Sequence, residues 1–145
     1  LARRVEALLV ADSRHAYLLE GENLLQGLDA DLSAADPSFA AERVRRYGEV
    51  ARLLIDTGLI VVSTSKTFGI NYQRMAEMIR TLVQPAPVIA VHMSRAGEEP
   101  PPNTDLHFAG PQDFDAAARQ ILEELKRRGV LIQPSGTKST IQYSI

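Results

Sequence analysis

Val44-Arg-Arg-Tyr-Gly-Glu-Val-Ala-Arg-Leu-Leu-Ile-Asp-Thr-Gly-Leu-Ile-Val-Val62 decides the fold. Val44, Tyr47, Ala51 and Leu54 recur at three- and four-residue steps, the signature of one buried helix face. The spacing predicts a helix over residues 39–57 with Gly58 as its stop. Gly48 in its interior costs about 1 kcal/mol against Ala, which points to close packing of the helix on a sheet. Leu59 to Val62 then runs apolar without alternation, as a strand buried on both faces of a parallel sheet does.

Working outward, residues 1–10 read as a helix that begins without a cap, with Val5, Leu8 and Leu9 on one face. His15 to Leu19 reads as a short buried strand. A third helix is predicted over 72–82, with Tyr72, Met75, Ile79 and Leu82 inward. Val88 to Val91 is the next buried strand, Glu98 to Asn103 a proline-rich loop, and Asp105 to Phe108 a short strand. The last helix places Phe114, Ala117, Ala118, Ile121, Leu122 and Leu125 on one face. Asp113 and Asp115 stand at its positive end, and Lys126, Arg127 and Arg128 at its negative end. Thr140-Ile-Gln-Tyr-Ser-Ile145 reads as an edge strand. Strands alternating with amphipathic helices predict a three-layer α/β fold, a parallel sheet flanked by helices.

The 145 residues make one domain, 45% hydrophobic and 23% charged. A net charge of -2 gives no electrostatic case for nucleic-acid binding. Cysteine is absent, which excludes disulfides, thiol catalysis and sulfur-ligated metals and fits a reducing, cytoplasmic setting. No apolar run approaches a membrane span. The first residues lack the pattern of a secretory signal, and without an initiator Met the chain reads as a fragment or a processed product.

In parallel sheets ligands bind beyond the carboxyl ends of the strands. Three stretches meet that rule: Glu20 to Asn23, Ser63 to Phe68, and His92 to Arg95. Glu20-Gly-Glu-Asn23 sets two carboxylates around a glycine, able to take a hydroxyl proton or to hold Mg²⁺ through water; alone it is also an ordinary polar turn. Ser63-Thr-Ser-Lys-Thr-Phe68 offers hydroxyls and a lysine to an anion, with Ser65 and Lys66 the candidates. Arg43, Arg45 and Arg46 form a basic cluster whose guanidinium groups suit phosphate or sulfate, unless they only solvate a helix face. Ser135-Gly-Thr-Lys-Ser-Thr140 is no phosphate loop, because Thr137 separates the glycine from the lysine and the stretch follows the last helix. His15, His92 and His107 show no ligand spacing, and no metal site is expected.

The stretch His15-Ala-Tyr-Leu-Leu-Glu-Gly-Glu-Asn-Leu-Leu-Gln-Gly-Leu-Asp-Ala-Asp-Leu32 resembles the adenylylsulfate kinases, whose segment reads Tyr-Leu-Leu-Asp-Gly-Asp-Asn, then Gly-Leu and Asp-Leu. The block 44–62 resembles that family's Ile-Arg-Arg-Val-Gly-Glu-Val-Ala helix and the strand after it. Glu99-Pro-Pro-Pro-Asn-Thr-Asp-Leu106 resembles its Pro-Glu-x-Pro-Asp-Leu stretch more weakly. The likeness covers residues 1–130, a kinase-like domain of P-loop type, and leaves 131–145 as an extension.

The resemblance implies transfer of the γ-phosphate of ATP, with Mg²⁺, to the 3′-hydroxyl of adenosine 5′-phosphosulfate. It implies Glu22 as the catalytic carboxylate, and Glu20, Asn23, Arg45, Arg46 and Phe68 as substrate-binding residues. Arg43, Ser65 and Lys66 remain candidates for an anion. The expected partners are the nucleotide substrate, a homodimer mate, and a sulfate-activating enzyme in fusion or association. The chain also departs from the family. The glycine-rich phosphate loop and the strand before it have no counterpart here, so a gap is expected in the sheet, which residues 140–145 or another segment would fill. The family's arginine is Leu25, its asparagine is Arg43, its Ile-Ser-Pro-Phe is Ser65-Lys-Thr-Phe68, and its basic lid is lacking. Two alternatives to the kinase follow: a catalytically degenerate domain with a binding or structural role, and a kinase for another small acceptor.

Overall fold

The computed structural model describes residues 1–64 and 72–131. Helix α1 spans Ala2–Ala11 and leads into strand β1, Ala16–Glu20. A 3-10 turn, Gly21–Leu24, replaces the simple polar turn expected there. Helix α2, Phe39–Asp56, then feeds β2, Ile60–Thr64. Helix α3, Tyr72–Leu82, precedes β3, Val91–Ser94. Strand β4, Leu106–Ala109, and helix α4, Phe114–Arg127, complete the order.

The strands form two parallel pairs, β1 with β2 and β3 with β4. Leu18 stands opposite Val62, and His92 opposite His107. Consecutive strands are therefore neighbours except across α3. Both pairs lie between the same two helical layers. On one face Val5 and Leu9 of α1 join Ala117, Ala118 and Ile121 of α4 around Phe108, with Ile60, Val62 and Val91 packed against them. On the other, Val44, Tyr47 and Ala51 of α2 gather with Leu19, and Val61, Met75, Met78 and Ile79 pack onto that group.

Each element follows from its residues. Asp113 caps α4 by accepting from the amides of Asp115 at 2.9 Å and Ala116 at 3.2 Å, relieving donors with no partner in the first turn. Gly58 and Gly129 end α2 and α4 with φ of 87° and 72°, a backbone that L side chains resist.

Four expectations are corrected. β2 is half-buried instead of fully buried, because no described strand pairs with its second edge. The strand expected at Val88 to Val91 begins only at Val91. The Arg128 side chain donates to the Val88 carbonyl at 3.2 Å, and Asp105 takes the Ala90 amide at 2.7 Å, so side chains occupy backbone groups that a ladder would use. Phe114 does not join the buried face of α4 but stays 49% exposed at its first turn. Gly48 packs on α3 instead of on a sheet: a Cβ there would stand 2.5 Å from Leu82 Cδ1. Ser65, Lys66, Phe68, and the strand and linker expected over 135–145 lie outside the described residues.

Candidate functional site

Because the strands are parallel, their carboxyl ends share one end of the molecule, and the helices that return antiparallel start there. Glu20 ends β1; Gly21 is buried beneath it, while Glu22 and Asn23 are exposed in the 3-10 turn. The Tyr47 hydroxyl, from the middle of α2, donates to the carbonyls of Leu19 at 2.8 Å and Thr64 at 3.1 Å. It thus ties the end of β1 to the end of β2. Burial pushes its phenol up to about 12, against the lowering effect of its hydrogen bonds to Ser63 and Thr64.

The start of α1 reaches the same place. Arg3 lies 3.2 Å from a Glu20 carboxylate oxygen. Arg4 crosses to the first turn of α4 and meets Asp115 Oδ2 at 2.9 Å. An open depression between these helix starts is lined by Leu1, Arg3, Arg4, Ala7, Phe114 and Asp115. The first turn of α1 carries no acidic residue, so its amides and positive end are not neutralised from within.

The arginines of α2 have specific partners. Arg43 is buried with Asp29, their side chains 8% and 0% exposed and Nε 3.3 Å from Oδ2. Its guanidinium also lies 5.5 Å from the centre of the Phe39 ring. Arg46 holds Asp31 at 2.9 Å and donates to the Leu28 carbonyl, while its Nε meets Glu42 at 2.9 Å. Arg45 pairs with Glu42 at 2.7 Å on the surface. Hydrogen bonds from Arg45 and then Arg46 hold the Glu42 carboxyl down at about 2. Arg43 and Arg46 therefore strap residues 28–31 to α2, fixing the far side of the loop that begins with Glu22.

Two arrangements escape a reading of spacing alone. His92 and His107, 15 positions apart in sequence, face each other across β3 and β4 with ring centroids 5.8 Å apart. Tyr72 meets His92 edge-on at 5.3 Å, and Ser94 Oγ lies 2.8 Å from His107 Nε2. Only the strand register brings them together. The Tyr47 clamp was detectable in principle, since a tyrosine on an inward helix face needs a partner for its hydroxyl. Among the described residues no group of three or more His, Cys, Asp or Glu is arranged to hold a metal ion. No described helix is long and apolar enough to cross a membrane.

The family model described as Adenylylsulphate kinase matches residues 1–101. The adenylyl-sulfate kinase of Aeromonas hydrophila is 41% identical over 83 residues, covering 57% of this chain and 40% of that protein. That of Geotalea daltonii is 36% identical over 94 residues, 65% of this chain and 44% of the relative. These matches span less than half of each relative's length. The Yersinia pestis adenylyl-sulfate kinase aligns more broadly, 28% identical with 90% of this chain and 73% of the relative covered. In structure, the Mycobacterium tuberculosis APS kinase CysC, solved in complex with AMPPNP and APS, superposes with a TM-score of 0.69 over 86% of this chain and 88% of that one. At 23% identity that likeness speaks for the fold, a P-loop kinase architecture. With a family match over residues 1–101 and the shared fold, this chain belongs to the adenylylsulfate kinase family.

Proposed function

We propose that the chain carries the acceptor side of an ATP-dependent phosphotransferase acting on the 3′-hydroxyl of adenosine 5′-phosphosulfate. The observation that supports this best is the placement of Glu20-Gly21-Glu22-Asn23. It sits at the carboxyl end of β1, clamped through Tyr47 and beside the start of α1. Glu22 is exposed and held on a short turn, so an entering hydroxyl can reach it. In the reaction the acceptor oxygen bonds to the γ-phosphorus and the bond from that phosphorus to the β-bridging oxygen breaks. ADP leaves, and the hydroxyl proton passes to the Glu22 carboxylate. Arg3 and the first amides of α1 would face the phosphates. Mg²⁺ keeps several waters and takes one or two carboxylates beside phosphate oxygens; Glu20 would hold it through water. When bound it neutralises phosphate charge. Glu20, Asn23, Arg45, Arg46 and Phe68 are the residues proposed for the acceptor pocket, and Arg43, Ser65 and Lys66 those proposed for an anion. A homodimer or a sulfate-activating partner, and a cytoplasmic setting, complete this reading.

Calorimetric titration with Mg-ATP and then adenosine 5′-phosphosulfate, followed by a product assay, tests it. The acceptor should bind, and in a protein that also supplies the phosphate loop Glu22→Gln should lower turnover by about 10²-fold or more while leaving acceptor binding in place. Acceptor binding without turnover would favour a degenerate domain with a binding role. The ion pairs that engage Arg43 and Arg46 speak for that second reading. Failure of a protein that also supplies the phosphate loop to bind either nucleotide would sink the acceptor assignment.

A further inference from the structure

His92 and His107 have no part in the proposed reaction, and the register of β3 and β4 sets them directly opposite each other. Side chains alternate across a strand. Val91, Leu106 and Phe108 pack toward α1 and α4, so the two histidines share the other face, under the start of α3, where Tyr72 meets His92 edge-on. Both residues are half-buried, which leaves them open to water and small solutes. They show no ligand spacing in sequence because they come from different strands.

The ring nitrogens are unevenly engaged. The Ser94 hydroxyl has one proton and two carbonyls to take it, that of Arg95 at 3.1 Å and that of Glu98 at 3.5 Å. Toward His107 Nε2, 2.8 Å away, its oxygen then accepts, so Nε2 carries the hydrogen and Nδ1 presents a lone pair. A hydrogen bond from the second ring nitrogen is the usual support of a metal-bound histidine. Among the described residues neither Nδ1 of His107 nor either nitrogen of His92 has a hydrogen-bond partner. Asp105, two residues before His107, does not compete for them: Arg128 takes one of its oxygens, and Arg80 and the Ala90 amide take the other.

We propose that His92 and His107 form a two-imidazole site for a borderline divalent transition metal, Zn²⁺ above all, distinct from the Mg²⁺ of the proposed reaction. With a metal–nitrogen bond of about 2.1 Å, each ring centre lies about 3.2 Å from the ion, and two rings on a tetrahedral ion stand about 5.2 Å apart. The observed 5.8 Å needs a closure of only about 0.6 Å to reach that separation. Imidazole suits Zn²⁺, Ni²⁺ and Cu²⁺, whereas Mg²⁺ and Ca²⁺ prefer carboxylate and carbonyl oxygen. Among the described residues no third His, Cys, Asp or Glu stands with the pair, and residues 65–71 and 132–145 contain none in sequence. The remaining positions on the ion therefore fall to water or to a ligand from outside the chain.

The full chain, free of any affinity tag, is titrated with zinc chloride by calorimetry while its imidazole resonances are followed by NMR. One ion should bind per monomer. The signals of His92 and His107 should shift together, and those of His15, the third histidine, should stay. His92→Ala and His107→Ala should each weaken binding by about 10-fold or more, Ser94→Ala by about 10-fold, and His15→Ala should leave it unchanged. Excess Mg²⁺ should not displace the ion. The paired shift is read on the unsubstituted chain, so it decides even where a variant fails to fold. No uptake of Zn²⁺ at millimolar concentration, a shift of one imidazole alone, or unchanged affinity when both histidines are replaced by Ala would overturn the proposal. Uptake of half an equivalent with dimer formation would place the ion between two copies and overturn it as well. None of these readouts depends on nucleotide binding or turnover.

Discussion

Two side chains show how the site is held at the residue scale. Tyr47 spans the ends of β1 and β2 with one hydroxyl. Removing it as Tyr47→Phe leaves two carbonyls short of a donor and should cost about 1–2 kcal/mol in urea unfolding. Its raised phenol also makes a signed prediction. The unfolded phenol ionises near 10 and the folded one near 12, so the contribution is complete below pH 10 and lost between pH 10 and 12. The parent chain should lose about 2 kcal/mol more than Tyr47→Phe across that window. Equal losses would show that the hydroxyl is not buried as described. Asp29 is the second case. Truncation as Asp29→Ala removes the buried carboxylate paired with Arg43 and should destabilise by about 3–5 kcal/mol, while Arg43→Met with Asp29→Leu should recover much of it. A cost for Asp29→Ala no larger than for a surface carboxylate would refute the pairing.

Elements show what pattern alone can and cannot reveal. Helix α3 matches its expected bounds because its apolar positions keep helical spacing from Tyr72 to Leu82. Helix α4 is legible for the same reason and because charge is sorted along it. β3 is displaced by three residues because Asp105 and Arg128, distant in sequence, take up backbone groups at Val88 and Ala90. No window around Val88 contains that information. Gly48 is legible as a packing glycine, but its partner is a helix, which periodicity cannot name. Of the site, Glu20-Gly21-Glu22-Asn23 was readable from its place after a strand. The burial of Arg43 was not, because a run of three arginines reads as surface until Asp29 is seen beneath it. At Gly48 the prediction is specific. Gly48→Ala gains about 1 kcal/mol of helix propensity but drives a methyl against Leu82, so the gain is cancelled and the net loss is about 0–2 kcal/mol. Adding Leu82→Ala should reduce that loss in a double-mutant cycle; simple additivity would exclude the contact.

For the whole molecule, the ionic pattern sets the response to acid. Asp31, Asp36, Asp105, Asp115, Glu42 and Glu124 all sit below their ordinary values. Burial would raise Asp105, but the Ala90 amide, Arg128 and Arg80 outweigh it. Unfolded carboxyls take up protons near pH 4, folded ones lower, so stability is present above about pH 5 and drains away toward pH 2. Urea midpoints measured from pH 6 to pH 2 should fall steadily, and less steeply in high salt for the exposed pairs. A midpoint flat across that range would contradict the ion pairs.

The strap of Arg43 and Arg46 over residues 28–31 has a bearing on order of assembly. Together with the Tyr47 clamp and the β1–β2 register, it joins residues separated by fewer than fifty positions, none beyond Thr64. The first helix instead meets the last one, through Arg4 and Asp115, 111 positions away. During synthesis the strapped unit can therefore close while the chain is still growing. Helix α1 can meet β1 and β2 early but gains its contact with α4 only once α4 has emerged, so the loop carrying Glu22 is built before the packing of the helix start beside it is complete.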